Sequence, residues 1–172
     1  MQLIPLATPD QIGRVAGWLA EKRNHEWLDF GNGVRCPGAA SLKIMIQRDT
    51  HALRLFTSDE DDEPIGVVGL SNVDRVFGTA TIWITLGERR FSAKGYAFRA
   101  GVAMLDFAFS GLGLQAVNAW AVDSNHASLR LIERLHFRPI GRQRQCHCID
   151  GQAHDRLWFD LLASEHESAN HG

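Results

Sequence analysis

Residues 79–97 read Thr-Ala-Thr-Ile-Trp-Ile-Thr-Leu-Gly-Glu-Arg-Arg-Phe-Ser-Ala-Lys-Gly-Tyr-Ala. Ala80, Ile82, Ile84 and Leu86 alternate with Thr79, Thr81, Trp83 and Thr85, which predicts a strand with two distinct faces. From Tyr96 to Ser110, the residues Ala97, Phe98, Val102, Met104, Leu105, Phe107, Ala108 and Phe109 leave almost no polar face, so a largely buried helix is expected. Between the two, the chain passes from strand to helix through small residues. The first turn of a helix has N–H groups without intrahelical acceptors and a partial positive charge. Arg89, Arg90 and Lys94 gather at that point, and Ala93 and Gly95 would let phosphate oxygens approach the backbone. Taken alone, the segment fits an anion cradle or an ordinary loop ahead of a helix equally well.

Working outward, Leu3 to Ala7 reads as a short strand. Thr8-Pro9-Asp10-Gln11 supplies an N-cap, a proline at the first helical position and a capping-box partner, and Ile12, Val15, Ala16 and Leu19 then mark one buried helical face. Asn24 to Gly38 is looser, and a second helix resumes near Ser41 with Leu42, Met45 and Ile46 on one side. Ala52 to Ser58 and Ile65 to Val73 are strands joined by the acidic turn Asp59 to Glu63. Beyond the central helix, Gly111 and Gly113 lead to a strand over Gln115 to Val122, and a short helix over Ser128 to Leu135 opens at Asn125. Phe137 to Ile149 and Gln152 to Leu162 form a hairpin about Asp150-Gly151. A single domain over residues 1–163 is expected, with a frayed tail over residues 164–172.

The totals exclude several classes. With 172 residues, 45% of them apolar, the chain has material for one substantial core. Eighteen Lys plus Arg against twenty Asp plus Glu leave a net charge of −2, and Arg138, Arg142 and Arg144 read as a solvated strand face, so no nucleic-acid partner is expected. Three scattered cysteines make no disulfide framework. Neither a signal segment nor a membrane span is evident, and a cytoplasmic location is expected. The loop lacks the Gly-x-Gly-x-x-Gly and Gly-Lys-Ser/Thr patterns of nucleotide-binding folds.

Arg90, Ala93 and Gly95 fall on an Arg/Gln-x-x-Gly-x-Gly/Ala pattern, in which Ala93 replaces the first glycine. Asn125, Ser128, Glu133 and His136-Phe137 match an Asn-x-x-Ser helix entry followed by Glu and Gly-Phe, with His136 in the glycine place. Asp150-Gly151, Asp155 and Leu157 to Leu162 match a terminal hairpin. In these features the sequence resembles the GNAT superfamily of acetyltransferases over roughly residues 52–162, closest to the branch acting on ribosomal-protein N-termini and small amines. The resemblance implies an α/β (α+β) fold with a mixed, mostly antiparallel sheet flanked by helices and splayed near its middle. It implies acetyl-CoA held by Thr85, Leu86, Arg89, Arg90, Phe91, Ser92, Ala93, Lys94, Gly95, Tyr96 and Ala97, with Asn125 and Ser128 nearby. Ala93 is expected to cost little there if it needs no positive φ. The implied activity is transfer of an acetyl group by direct attack of a primary amine, on a protein N-terminus or a small molecule. The alternative is a degenerate acyl-CoA sensor. Monomer and homodimer both stay open.

The family's usual acid tyrosine would stand where this sequence has Ile132. Tyr96, the only tyrosine, reads as a packing or cofactor-contact residue. In the branch that the sequence resembles, the serine of Asn-x-x-Ser hydrogen-bonds the coenzyme sulfur, which nominates Ser128 with Asn125 beside it; a plain helix cap is the competing reading. Glu26 and Asp29, in the segment that forms part of the family's acceptor pocket, are the candidates to draw in the ammonium and relay its proton. A two-residue turn pairs Ile149 with Gln152, His147 with His154 and Cys146 with Asp155. The two cysteines and the two histidines then face opposite sides, so no metal site is expected from them. Cys36 has no evident histidine partner and is not assigned a nucleophilic role.

Overall fold

The computed structural model describes residues 1–31, 34–60 and 62–170. Asn32 and Gly33 of the looser stretch, Asp61 of the acidic turn and the last two residues of the expected tail lie outside the described residues.

Strand β1 (Leu3–Pro5) leads to helix α1 (Pro9–Ala20) and the short α2 (Lys22–His25) and α3 (Ala39–Met45). Then come β2 (Ala52–Thr57), β3 (Pro64–Asp74) and β4 (Thr79–Leu86), followed by a 3₁₀ turn at Arg89–Phe91 and helix α4 (Tyr96–Asp106), which ends in a π turn. The chain closes with β5 (Ala116–Val122), α5 (His126–Arg134), β6 (Arg138–Ile149), β7 (Gln152–Leu162) and α6 (Ala163–Asn170). The capping box forms as expected: Thr8 accepts from the Gln11 N–H, and the Gln11 side chain accepts from the Thr8 N–H.

Among the described residues, seven strands form one sheet in the order β1-β2-β3-β4-β5-β7-β6. All ladders are antiparallel except β4 with β5. Strand periodicity sorts the core into two layers. Val68, Leu70, Ala80, Ile82, Val117, Ala119 and Leu161 pack with Met104 and Leu105 of α4 and Ile132 of α5. Leu53, Leu55 and Val67 pack on the other face with Val15, Trp18 and Leu19 of α1 and Leu42 of α3.

The parallel ladder decides where a ligand can enter. β4 and β5 pair only over Thr79–Thr81 against Ala116–Asn118. From Ile82 to Leu86, β4 keeps β3 on one side and, among the described residues, has no strand on the other. The sheet therefore opens between the C-terminal halves of β4 and β5.

Two expectations fail in detail. Where a frayed tail was expected from Ser164, residues Ala163–Asn170 are helical: Glu165 accepts from the Leu162 N–H and pairs with Arg138, and buried His166 lies 2.6 Å from Asp106 of α4. Those partners are distant in sequence, so local propensity could not reveal them. In the last hairpin, His147 pairs with His154 and Ile149 with Gln152 as expected, but an irregularity between Gln143 and His147 removes the Cys146–Asp155 pair. Asp155 instead accepts from the Gln145 N–H and from Arg142.

Candidate active site

The loop after β4 is fastened from below. Phe91 is 1% exposed and packs edge-on against Tyr96, with ring centroids 5.4 Å apart. The Tyr96 hydroxyl accepts from the Asp59 N–H at 3.2 Å. Tyr96 thus takes the packing role that was one of its two expected readings, and the Phe91 ring packs with it beneath the turn.

With the loop pinned, its backbone faces outward. Gly95 caps α4 at φ 83°, and Ala93 sits at φ 61°. Among the described residues, no acceptor engages the N–H groups of Ala93, Gly95, Tyr96 or Ala97. Four unsatisfied donors at a helix N-terminus, beside Arg89, Arg90 and Lys94, have the chemistry that a pyrophosphate requires. A Cβ placed on Gly95 would meet nothing within 4 Å, so the space over the cradle is open. The donor set therefore fits the coenzyme that the sequence pattern implies. Thr85 and Leu86, expected along the acyl arm, lie where β4 pairs with β3 on one side and, among the described residues, has no strand on the other.

The acidic turn reaches the same loop. Glu63 lies 3.7 Å from Arg90, Glu60 lies 3.6 Å from Lys94, and Asp59 pairs with Arg99 and the N-terminal ammonium. Arg99, followed by the ammonium, holds the Asp59 carboxyl well below the usual carboxylate range. The Arg90 and Lys94 pairs are exposed and individually weak, so an incoming phosphate competes with them at small cost.

Ala93 adopts the left-handed region, so the condition under which it would cost little is not met. A non-glycine residue there costs roughly 1–2 kcal/mol. Ala93→Gly should therefore raise stability by about 0.5–1 kcal/mol once the looser unfolded chain is subtracted. The melting temperature would rise by about 1–4 °C, and an unchanged or lower value in a thermal scan would contradict this reading of the turn. His136, also in a glycine place, has φ 64° just after α5.

At the N-terminus of α5, the Asn125 side chain accepts from the Ser128 N–H at 3.1 Å, so the cap forms. The Ser128 hydroxyl is half-buried and has no protein partner among the described residues. Ile132 is buried in the α4 layer and offers no proton.

The segment after α2 lies against the opposite sheet face. Asp29 accepts from Arg156 at 2.7 Å and from the Gly31 N–H at 2.8 Å. Burial raises its pKa, but the Arg156 and Gly31 hydrogen bonds outweigh that and leave it below the usual value. With both oxygens engaged and its pKa lowered, Asp29 is a poorer proton acceptor than a carboxylate without partners. The Glu26 carboxylate makes no hydrogen bond or ion pair among the described residues, while its carbonyl accepts from His147. Sequence reading missed His147 and Arg156; the single signal was a histidine facing inward on an otherwise exposed strand. Among the described residues, no three His, Cys, Asp or Glu side chains converge as a metal site, and no helix is long and apolar enough to cross a membrane.

A mixed sheet that opens between β4 and β5, with a helix N-terminus of free N–H groups beside the opening, is a frame that can hold an acyl-coenzyme A. The model of the acetyltransferase (GNAT) domain matches residues 2–138, and the chain belongs to the GNAT family, whose acyltransferases use acetyl-CoA. It is 32% identical over 107 residues to the uncharacterized N-acetyltransferase p20 of Bacillus licheniformis, covering 62% of this chain and 60% of that one. It is 29% identical over 126 residues to the prophage-derived uncharacterized N-acetyltransferase YokL of Bacillus subtilis, covering 73% and 70%. In fold it is similar to the spermidine N-acetyltransferase of Vibrio cholerae in complex with CoA and spermine, with a TM-score of 0.83 at 18% identity over 96% of this chain and 97% of that one.

Proposed function

We propose that this protein is a cytoplasmic acetyl-CoA-dependent N-acetyltransferase that acetylates a primary amine by direct attack. The observation that carries it is the set of four free N–H groups at Ala93, Gly95, Tyr96 and Ala97, at the mouth of the opening between β4 and β5. The coenzyme, when bound, supplies a thioester whose acetyl carbon an uncharged amine can attack, with coenzyme A leaving. Ala93 to Ala97 bind the pyrophosphate, and Arg89, without a partner among the described residues, adds charge. The Ser128 hydroxyl, which makes no bond of its own in the cap, supports the reading that this residue gives a proton to the departing sulfur. Glu26 is the carboxylate left to draw in the ammonium and receive its proton through water.

Ser128→Ala should lower kcat about a hundredfold, the lower end for a lost general acid because a thiolate leaves easily, with acetyl-CoA affinity within about twofold. Unchanged kcat would remove Ser128 from the mechanism. Buried Ile132 in the acid position supports a second reading, an acyl-CoA sensor without turnover. Thiol release from acetyl-CoA with N-terminal peptides, polyamines, aminoglycosides and amino sugars, alongside calorimetry of acetyl-CoA, separates the two. Binding with release for one amine class supports the enzyme, and binding without release supports the sensor. Absence of binding overturns both.

A further inference from the structure

Residues Glu26–Phe30, just after α2, lie on the sheet face away from α4, reaching from β4 to β6 and β7. Two adjacent residues reach strands on either side of the opening. Phe30 sets its ring edge-on to Trp83 of β4, with centroids 5.0 Å apart, while Asp29 pairs with Arg156 of β7. Three residues before Asp29, the Glu26 carbonyl receives a hydrogen bond from Nε2 of His147 on β6 at 2.6 Å.

Arg156 is the hub of these contacts. Its side chain is 13% exposed; Nη2 lies 2.7 Å from Asp29 and 2.9 Å from Nδ1 of His147, and the guanidinium lies 4.2 Å over the ring of Trp120 on β5. His147 donates through Nε2 and accepts from Arg156 through Nδ1, so it is neutral with both nitrogens in use. Burial, against the opposing Glu26 hydrogen bond, keeps its pKa below the usual imidazole value. His147 is thus a fastener. The anion cradle leads into α4 on the other face, which leaves the opening beneath this strap as the approach for a second substrate.

We infer that Arg156 is the positioning residue for the amine acceptor: by joining Asp29, His147 and Trp120 it holds Glu26–Phe30 across the opening and so sets acceptor affinity without setting coenzyme affinity. The inference rests on the acetyltransferase reading. Losing a charge-assisted hub should raise the acceptor KM on the order of tenfold.

The test compares wild type with Arg156→Ala, Arg156→Lys and the exchange Asp29→Arg with Arg156→Asp. Three quantities are read: acetyl-CoA affinity by calorimetry, acceptor KM with spermine and with a free-N-terminus tripeptide, and hydrogen exchange at the Gly31 amide, which the Asp29 carboxylate holds. The expected result for Arg156→Ala is a higher acceptor KM, kcat largely kept, acetyl-CoA affinity within about twofold and Gly31 exchange faster by about tenfold. Arg156→Lys, keeping the charge without the fork, should fall between, and the exchange should restore part of the loss. Unchanged KM and exchange, or acetyl-CoA affinity falling in parallel, overturns the inference. If wild type binds acetyl-CoA and acetylates neither amine, the enzyme reading fails on its own, and the Gly31 arm still decides whether Arg156 fastens the strap.

Discussion

Gly95→Val should weaken acetyl-CoA binding by at least about a hundredfold, close to 3 kcal/mol, measured by calorimetry. Gly95 caps α4 at φ 83° and ψ 0°, a conformation that β-branched residues avoid. The loss comes through the backbone and the ligand, because a Cβ there meets no protein atom within 4 Å. Valine would turn the chain out of the left-handed region, misdirect the N–H groups of Tyr96 and Ala97, and place methyl groups in the space a pyrophosphate would occupy. Gly95→Ala, with the same backbone conflict and less bulk, should lose about tenfold. Full affinity in the valine variant would mean that the cradle lies elsewhere.

The second large effect falls on stability. A Cβ on Gly66 would stand 2.2 Å from the ring of Phe56 and 2.6 Å from the Thr85 carbonyl oxygen. Phe56 is fully buried, and the Thr85 oxygen belongs to the backbone of β4, so neither can give way cheaply. Gly66→Ala should cost about 3 kcal/mol, the upper range for overpacking, and lower the melting temperature by roughly 6–12 °C. The clash also pushes β4 at Thr85, on its open edge, so coenzyme affinity should fall with stability. A variant as stable as wild type would show that β3 and β4 separate more readily than their ladder implies.

The elements that were legible in the sequence are those specified by local patterns. The alternation over Thr79–Leu86 produced β4 with the same boundaries, because a half-buried strand writes its two faces directly into the chain. The Thr8–Gln11 capping box and the Asp150-Gly151 turn were equally local, and both formed. The candidate site was legible in part. Arg89 to Ala97 was legible as the turn from strand to helix, yet the packing within it was not. The choice of packing for Tyr96, the burial of Phe91 and the positive φ of Ala93 were decided by the fold, because burial and dihedral angles follow from what packs beneath a loop. Helix α6 was missed for a related reason, since its partners Arg138 and Asp106 lie far away in sequence.

By itself, the sequence determined the order of the seven strands and the longer helices between them, the two faces of β4 and the small-residue turn that follows it, since all of these depend on neighbours a few residues apart. Only the tertiary structure decided where the sheet opens, because the β4–β5 ladder ends after Thr81 and Asn118, residues on strands separated by a whole helix. It alone decided what crosses that opening. Asp29, His147, Arg156 and Trp120 come from four separate parts of the chain, and their joint geometry exists only once burial has made it costly to leave a guanidinium or an imidazole without partners.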